Sequence, residues 1–185
     1  MTIPSPAPDE YPPYAGLYVQ TAADMLGTPE VPDLTALLTR QPDDLAALLD
    51  DVSHDQLQRA YAPGKWTLGE SLLHVIDSER VFAYRLLRAA RGDRTPLPGF
   101  DQDTWVPASE AAGRSVDGLL AEFRAVRTAT LALLAPMDAH VLARRTVASD
   151  REVSARGLAW MIAGHAQHHL RLTAERYLAT APDAG

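Results

Sequence analysis

The chain has 185 residues, 46% of them hydrophobic and 22% charged, the balance of one globular domain with room for a single buried core. Seventeen Lys plus Arg against 24 Asp plus Glu give a net charge of −7, which argues against a broad nucleic-acid surface because phosphate binding depends on a cationic face. There is no cysteine, so disulfides and thiol nucleophiles are excluded and any metal site must use His, Asp or Glu. The local cluster Arg80, Arg85, Arg88, Arg91 and Arg94 is interleaved with Asp77, Glu79 and Asp93 and does not reverse that reading. The N-terminus lacks a basic stretch followed by an apolar one. No apolar run approaches the roughly 20 residues that span a bilayer. The expectation is a soluble cytoplasmic protein with no nucleic-acid and no membrane partner.

Residues 1–32 are rich in proline and aromatic side chains. They are expected to form an extended arm that packs on the domain through Tyr11, Tyr14, Leu17, Tyr18 and Val19, or trails from it. Residues 33–180 are expected to be the folded domain, with four helical patterns. The first spans about 33–52, with Leu34, Leu37, Leu38, Leu45, Leu48, Leu49 and Val52 at largely helical spacing. Pro42 should kink or divide it. The second spans about 67–91, opened by a Thr67–Glu70 capping box and followed by Gly92 at the position of a C′ glycine. The third spans about 116–134 after Ser115 as N-cap, and Pro136 ends it. The fourth spans about 154–179 after Ser154. Short strands fit near 142–153. The 93–115 connection holds Pro96, Pro98, Gly99, Pro107 and Gly113 and is expected to conceal no helix; its length permits a non-sequential crossover. The fold class is all-α, a four-helix bundle.

The fourth pattern carries Gly164-His-Ala-Gln-His-His-Leu170. Residues four apart share a helix face, so His165 and His169 project together, on the stripe of Leu158, Met161 and Leu172. His168 is the competitor, turned about 60° from His165. His74 in the second pattern is the candidate third ligand, on a stripe with Glu70, Asp77, Val81 and Arg85. Three neutral imidazoles from two helices would give an ion an open position for water or substrate. The alternative is a set of core histidines with structural hydrogen bonds. His54 and His140 are expected at the surface. Trp66, Phe100 and Trp105 either wall the site or belong to the core, with the core favoured.

Two stretches resemble the DinB/YfiT-like metalloprotein superfamily. One is Ala62-PGKWTLGESLL-His74-VIDSE-Arg80 with its continuation through Pro96 to Trp105; the other is Ser154-ARGLAWMIAG-His165-AQH-His169-LRLTAER-Tyr177. The likeness covers roughly residues 11–179. It implies an up-down-down-up bundle with the 93–115 loop as crossover between helices two and three, often a homodimer. It also implies a metal site at His74, His165 and His169 with nickel or zinc as its divalent ion. Gly157, inside the fourth helix, departs mildly from the pattern. Some members of the superfamily are thiol S-transferases using bacillithiol, mycothiol or glutathione, and others look like metal-dependent hydrolases. The expected function is therefore a metal-dependent transferase that activates a low-molecular-weight thiol for attack on an electrophile. The alternatives are hydrolysis of an amide or ester, and a non-catalytic, stress-associated metal-binding bundle. Asp77, one turn beyond His74, is the candidate to orient an imidazole or carry a proton, unless it serves Arg80 or Arg85 instead.

Overall fold

The computed structural model describes residues 2–179. Residue 1 and residue 180, the outer bounds of the two expected regions, lie outside the described residues. All four amphipathic patterns fold as helices: α2 (Leu34–Leu48), α4 (Leu68–Ala90), α6 (Val116–Leu134) and α8 (Ala155–Leu172), with α1 (Gly16–Ala23) ahead of them. Their starts are set by side-chain caps. Thr67 Oγ1 accepts from Glu70 N while Glu70 Oε2 accepts from Thr67 N, at 3.2 and 2.7 Å. Ser115 and Ser154 cap α6 and α8 through the amides of Gly118 and Gly157. α4 ends in a Schellman turn: Gly92 has φ +72°, and the amides of Gly92 and Asp93 reach back to the carbonyls of Ala89 and Arg88.

α2 packs on α6 and α8, and α4 packs on the same two helices, so α2 and α4 are diagonal. Ser71 meets His169 and His74 meets His165, which makes α4 and α8 antiparallel. Arg127 of α6 meets Leu38 and Gln41 of α2 while Arg124 meets Asp43, the antiparallel sense again. α2 and α8 run parallel, since Leu34 and Leu38 cluster with Leu158 and Ala163, and Leu45 with Ala166 and Leu170. With the two antiparallel pairs this gives the up-down-down-up order, the 93–115 connection carrying the chain across between α4 and α6. That connection is not devoid of helix as expected: Asp101 Oδ1 accepts from the amide of Asp103 and nucleates one turn, α5 (Gln102–Trp105). Single-turn helices α3 (His54–Leu57) and α7 (Ala139–Leu142) bridge other corners. β1 (Arg145–Ala148) and β2 (Arg151–Ser154) form an antiparallel hairpin in the register Arg145↔Ser154. The two residues between the strands, Ser149 and Asp150, both have positive φ, the signature of a type I′ turn. No helix among the described residues is long and apolar enough to cross a membrane.

The core is two apolar clusters divided by a polar layer. One cluster includes Leu34, Leu38, Phe82, Leu86, Leu158 and Ile162; the other includes Leu45, Leu57, Leu72, Leu119, Phe123 and Leu170. Between them lies a buried ion pair. Arg127 Nε and Nη2 donate to the two carboxylate oxygens of Glu79 at 2.8 Å each, a bidentate pairing with side chains 1% and 3% exposed. Arg127 Nη1 donates to Gln41 Oε1 at 2.8 Å and to the Leu38 carbonyl at 2.6 Å. This contact explains why α2 runs unbroken through Pro42. Proline has no N–H for the carbonyl four residues earlier, and the guanidinium supplies the missing donor. Gln41 Nε2 in turn donates to the Ala163 carbonyl and Gln167 Oε1 of α8, so the network touches all four bundle helices.

The N-terminal segment differs from the extended arm expected. Residues 16–23 are helical and lie along α8, burying Val19 and Ala22, and Ala15 is buried just ahead of them. Two glycines on one face of α8 make the approach possible. A Cβ at Gly164 would stand 1.8 Å from the Tyr18 carbonyl oxygen, and one at Gly157 2.4 Å from that of Glu10. The departure at Gly157 is thus the seat of the N-terminal backbone. Glu10, 3% exposed, receives Arg156 at 2.7 Å, and Asp9 receives Arg145 at 2.7 Å.

Candidate metal centre

The second half of the polar layer holds the histidines. His74 projects from α4, and His165 and His169 from one face of α8; one ring nitrogen from each lies within 4.8 Å of the other two. His74 Nε2 and His165 Nε2 stand 3.1 Å apart. Two imidazoles at the usual Zn–N length of about 2.0–2.1 Å have nitrogens ~3.0–3.4 Å apart, so the spacing fits two ligands of one ion. His168 is half-buried and outside the group, its ring edge-on to Tyr18. His54 and His140 are exposed. Asp77 is also outside it. Its carboxylate accepts from Arg80 Nη1 at 3.1 Å with its side chain 36% exposed, and it lines neither of the cavities beside the histidines.

Two serines hold the rings instead. Ser71 Oγ lies 3.1 Å from His169 Nδ1, and Ser78 Oγ 3.5 Å from His74 Nδ1. An Nδ1–H donating to a hydroxyl selects the tautomer that leaves Nε2 free as a ligand. Ser78 is one turn from His74, so spacing could have found it. Ser71 is 98 residues from His169, and only the antiparallel register of α4 and α8 joins them. Tyr18 packs edge-on against His165 at 5.1 Å, Phe82 against the same ring at 5.8 Å, and Trp66 tilts over His74 at 4.8 Å. Trp66 is therefore a wall of the site, while Phe100 stacks on a 45% exposed Trp105 at 4.9 Å.

Burial keeps all three imidazoles neutral. It pushes His74 down to about 4, opposed by the charge of Asp103. It pushes His169 down to about 3, helped by His74 and His168. His165 lies well below the ordinary histidine value through burial and then the neighbouring imidazoles. The lone pairs are thus available at neutral pH, and the donor set suits a borderline ion such as zinc or nickel. The stability of metal-free protein follows from the same shifts. Below about pH 6.5 the unfolded chain takes up protons that the folded chain refuses until about pH 4 or lower, so stability falls with pH. Each histidine contributes a slope of ~1.4 kcal/mol per pH unit. Carboxylates are ionised in both states over most of this window, so a urea midpoint unchanged between about pH 6.5 and pH 5 would contradict the burial of the triad.

Two cavities flank the histidines. One of about 410 Å³ is lined by His74 and His165 with Tyr18, Phe82, Arg85 and Phe100, among others. Another of about 270 Å³ lies beside His169, lined also by Trp66, Ser71, Asp103 and Tyr177. The crossover loop supplies Phe100, Asp101 and Gln102 to the first and Asp103 to the second.

The chain belongs to the DinB superfamily, whose family model matches residues 37–173. Its fold is similar to that of YfiT from Bacillus subtilis, described as "a probable metal-dependent hydrolase with an unusual four-helix bundle topology". The TM-score is 0.70 at 19% identity, over 77% of this chain and 82% of that one. No curated protein matches the chain.

Proposed function

We propose that the chain is a metal-dependent enzyme in which His74, His165 and His169 hold one divalent ion, zinc or nickel, and a low-molecular-weight thiol is activated there for attack on an electrophile. The observation that carries this reading is the meeting of three buried neutral imidazoles, with no carboxylate in the group, beside a cavity large enough for a small molecule. An ion held by neutral ligands keeps its full charge and lowers the pKa of a thiol or water at its open position. The chain has no cysteine, so the thiol comes from outside. Ser71 and Ser78 stand at the Nδ1 atoms of His169 and His74 and can orient those rings, and Tyr18, Phe82 and Trp66 pack against the rings. Asp77 has no role in this reading. A homodimer is the assembly carried over from the family likeness.

Hydrolysis of an amide or ester is the second reading. It is favoured by Asp103, a carboxylate that lines the His169 cavity and has the chemistry of a general base toward water. Incubating metal-loaded protein with monochlorobimane and bacillithiol, mycothiol or glutathione separates the two. Thiol-dependent conjugation that disappears in His165→Ala supports transfer. Ester hydrolysis that needs no thiol and drops about 100-fold or more in Asp103→Asn would replace it with the hydrolase. Neither activity with bound metal would leave a non-catalytic metal-binding bundle.

A further inference from the structure

Arg85 is 4% exposed and lines the 410 Å³ cavity together with His74 and His165. Its Nη2 donates to the Pro98 carbonyl and to Ser149 Oγ, each at 3.1 Å. Those acceptors are neutral: they hold the guanidinium in place and leave its charge uncancelled. Its other N–H groups make no hydrogen bond, and it forms no ion pair, among the described residues. Asp101 lines the same cavity but spends Oδ1 on the amide of Asp103. The contrast with nearby arginines is clear, since Arg80, Arg88 and Arg94 each pair with a carboxylate. Burying an unpaired charge is costly, and this one is built in from three directions. α4 carries it, the Pro98 carbonyl of the crossover loop accepts from it, and the type I′ turn between β1 and β2 presents Ser149 to it. The Phe100 ring lies 5.8 Å from its carbon.

We propose that Arg85 binds a carboxylate of the substrate, so that the small molecule lies along the cavity with its acid group on the guanidinium and its reacting atom at the histidines. A carboxylate fits better than a phosphate dianion because, among the described residues, Arg85 is the one cation in the lining, and its planar fork matches a carboxylate bidentately. Arg85 lies 11 residues beyond His74 on α4, ~16 Å of helix rise. Its side chain leans back toward the helix N-terminus, so the span from carboxylate to reacting atom is on the order of 10 Å. The inference deepens the proposed function and rests on its assignment of this cavity to the substrate.

Calorimetric titration of the protein with succinate tests it, first metal-free and then metal-loaded, with the neutral succinamide in parallel. The metal-free arm isolates the arginine from any contact with the ion. Succinate is expected to bind, succinamide not, and Arg85→Met to weaken binding about tenfold or more. Arg85→Lys, which keeps the charge and loses the fork, should fall between, and Arg91→Met, at an exposed position, should match wild type. No saturable binding of succinate by wild type, equal binding of succinamide, or unchanged affinity in Arg85→Met would each overturn the proposal. The two readings fail separately. Arg85-dependent succinate binding without thiol conjugation removes the transferase and leaves the carboxylate site. Conjugation whose KM for glutathione is unchanged by Arg85→Met does the reverse.

Discussion

Replacing Arg127 by methionine lowers the stability of the bundle by about 3–5 kcal/mol, because it leaves Glu79 as a buried charge with no counter-ion. The same substitution takes the donor from the Leu38 carbonyl, which Pro42 cannot satisfy, and from Gln41 Oε1. The loss is one of partnership more than of charge as such. The double variant Glu79→Leu/Arg127→Met, which removes both ions, should recover most of the stability. Urea unfolding of the wild type, the two single variants and the double variant completes the cycle. A loss under ~1 kcal/mol in Arg127→Met would mean that the pair is reached by water and that the polar layer is not closed.

Gly164→Ala carries the second large effect, and its sign is the informative part. In an ordinary helix interior the change stabilises by about 1 kcal/mol, since alanine is the better helix former. Here the new methyl would overlap the Tyr18 carbonyl oxygen at 1.8 Å, a backbone contact that no rotamer relieves. α1 must lift from α8, at a cost of about 1–3 kcal/mol or more, and Tyr18 leaves the face of His165. A lower melting temperature with faster amide exchange over residues 16–23 is the expected outcome. A raised melting temperature would show that α1 does not dock on this glycine.

The helices were legible because each has a strong period and its own cap: Thr67 with Glu70, Ser115, Ser154 and Gly92 mark ends that local hydrogen bonding alone decides. The pairing of His165 with His169 was legible for the same reason, since one helix turn fixes it. The approach of His74 depends on how α4 sits against α8, which spacing within one helix does not determine. The residues offered His74 only as a candidate third ligand and the resemblance implied it; the geometry shows it 3.1 Å from His165. What stayed hidden is long-range. Arg127 and Glu79 are 48 residues apart, and no spacing within either helix joins them. Pro42 signals a break only while its orphaned carbonyl has no partner, and the partner comes from another helix. Asp77 sits one turn from His74, yet one turn of separation also placed it within reach of Arg80, which took it. Gly157 and Gly164 look like weak points of a helix until the N-terminal backbone is laid across them.

The central claim is that the three histidines hold one ion, and metal content tests it most directly. Elemental analysis of protein purified without chelator, for wild type and for His74→Ala, His165→Ala and His169→Ala, should give close to one zinc or nickel per wild-type chain. It should show metal per chain falling to about a tenth or less of the wild-type value in each variant, which lacks one of the three ligands. Equal metal in wild type and all three variants would contradict the assignment outright.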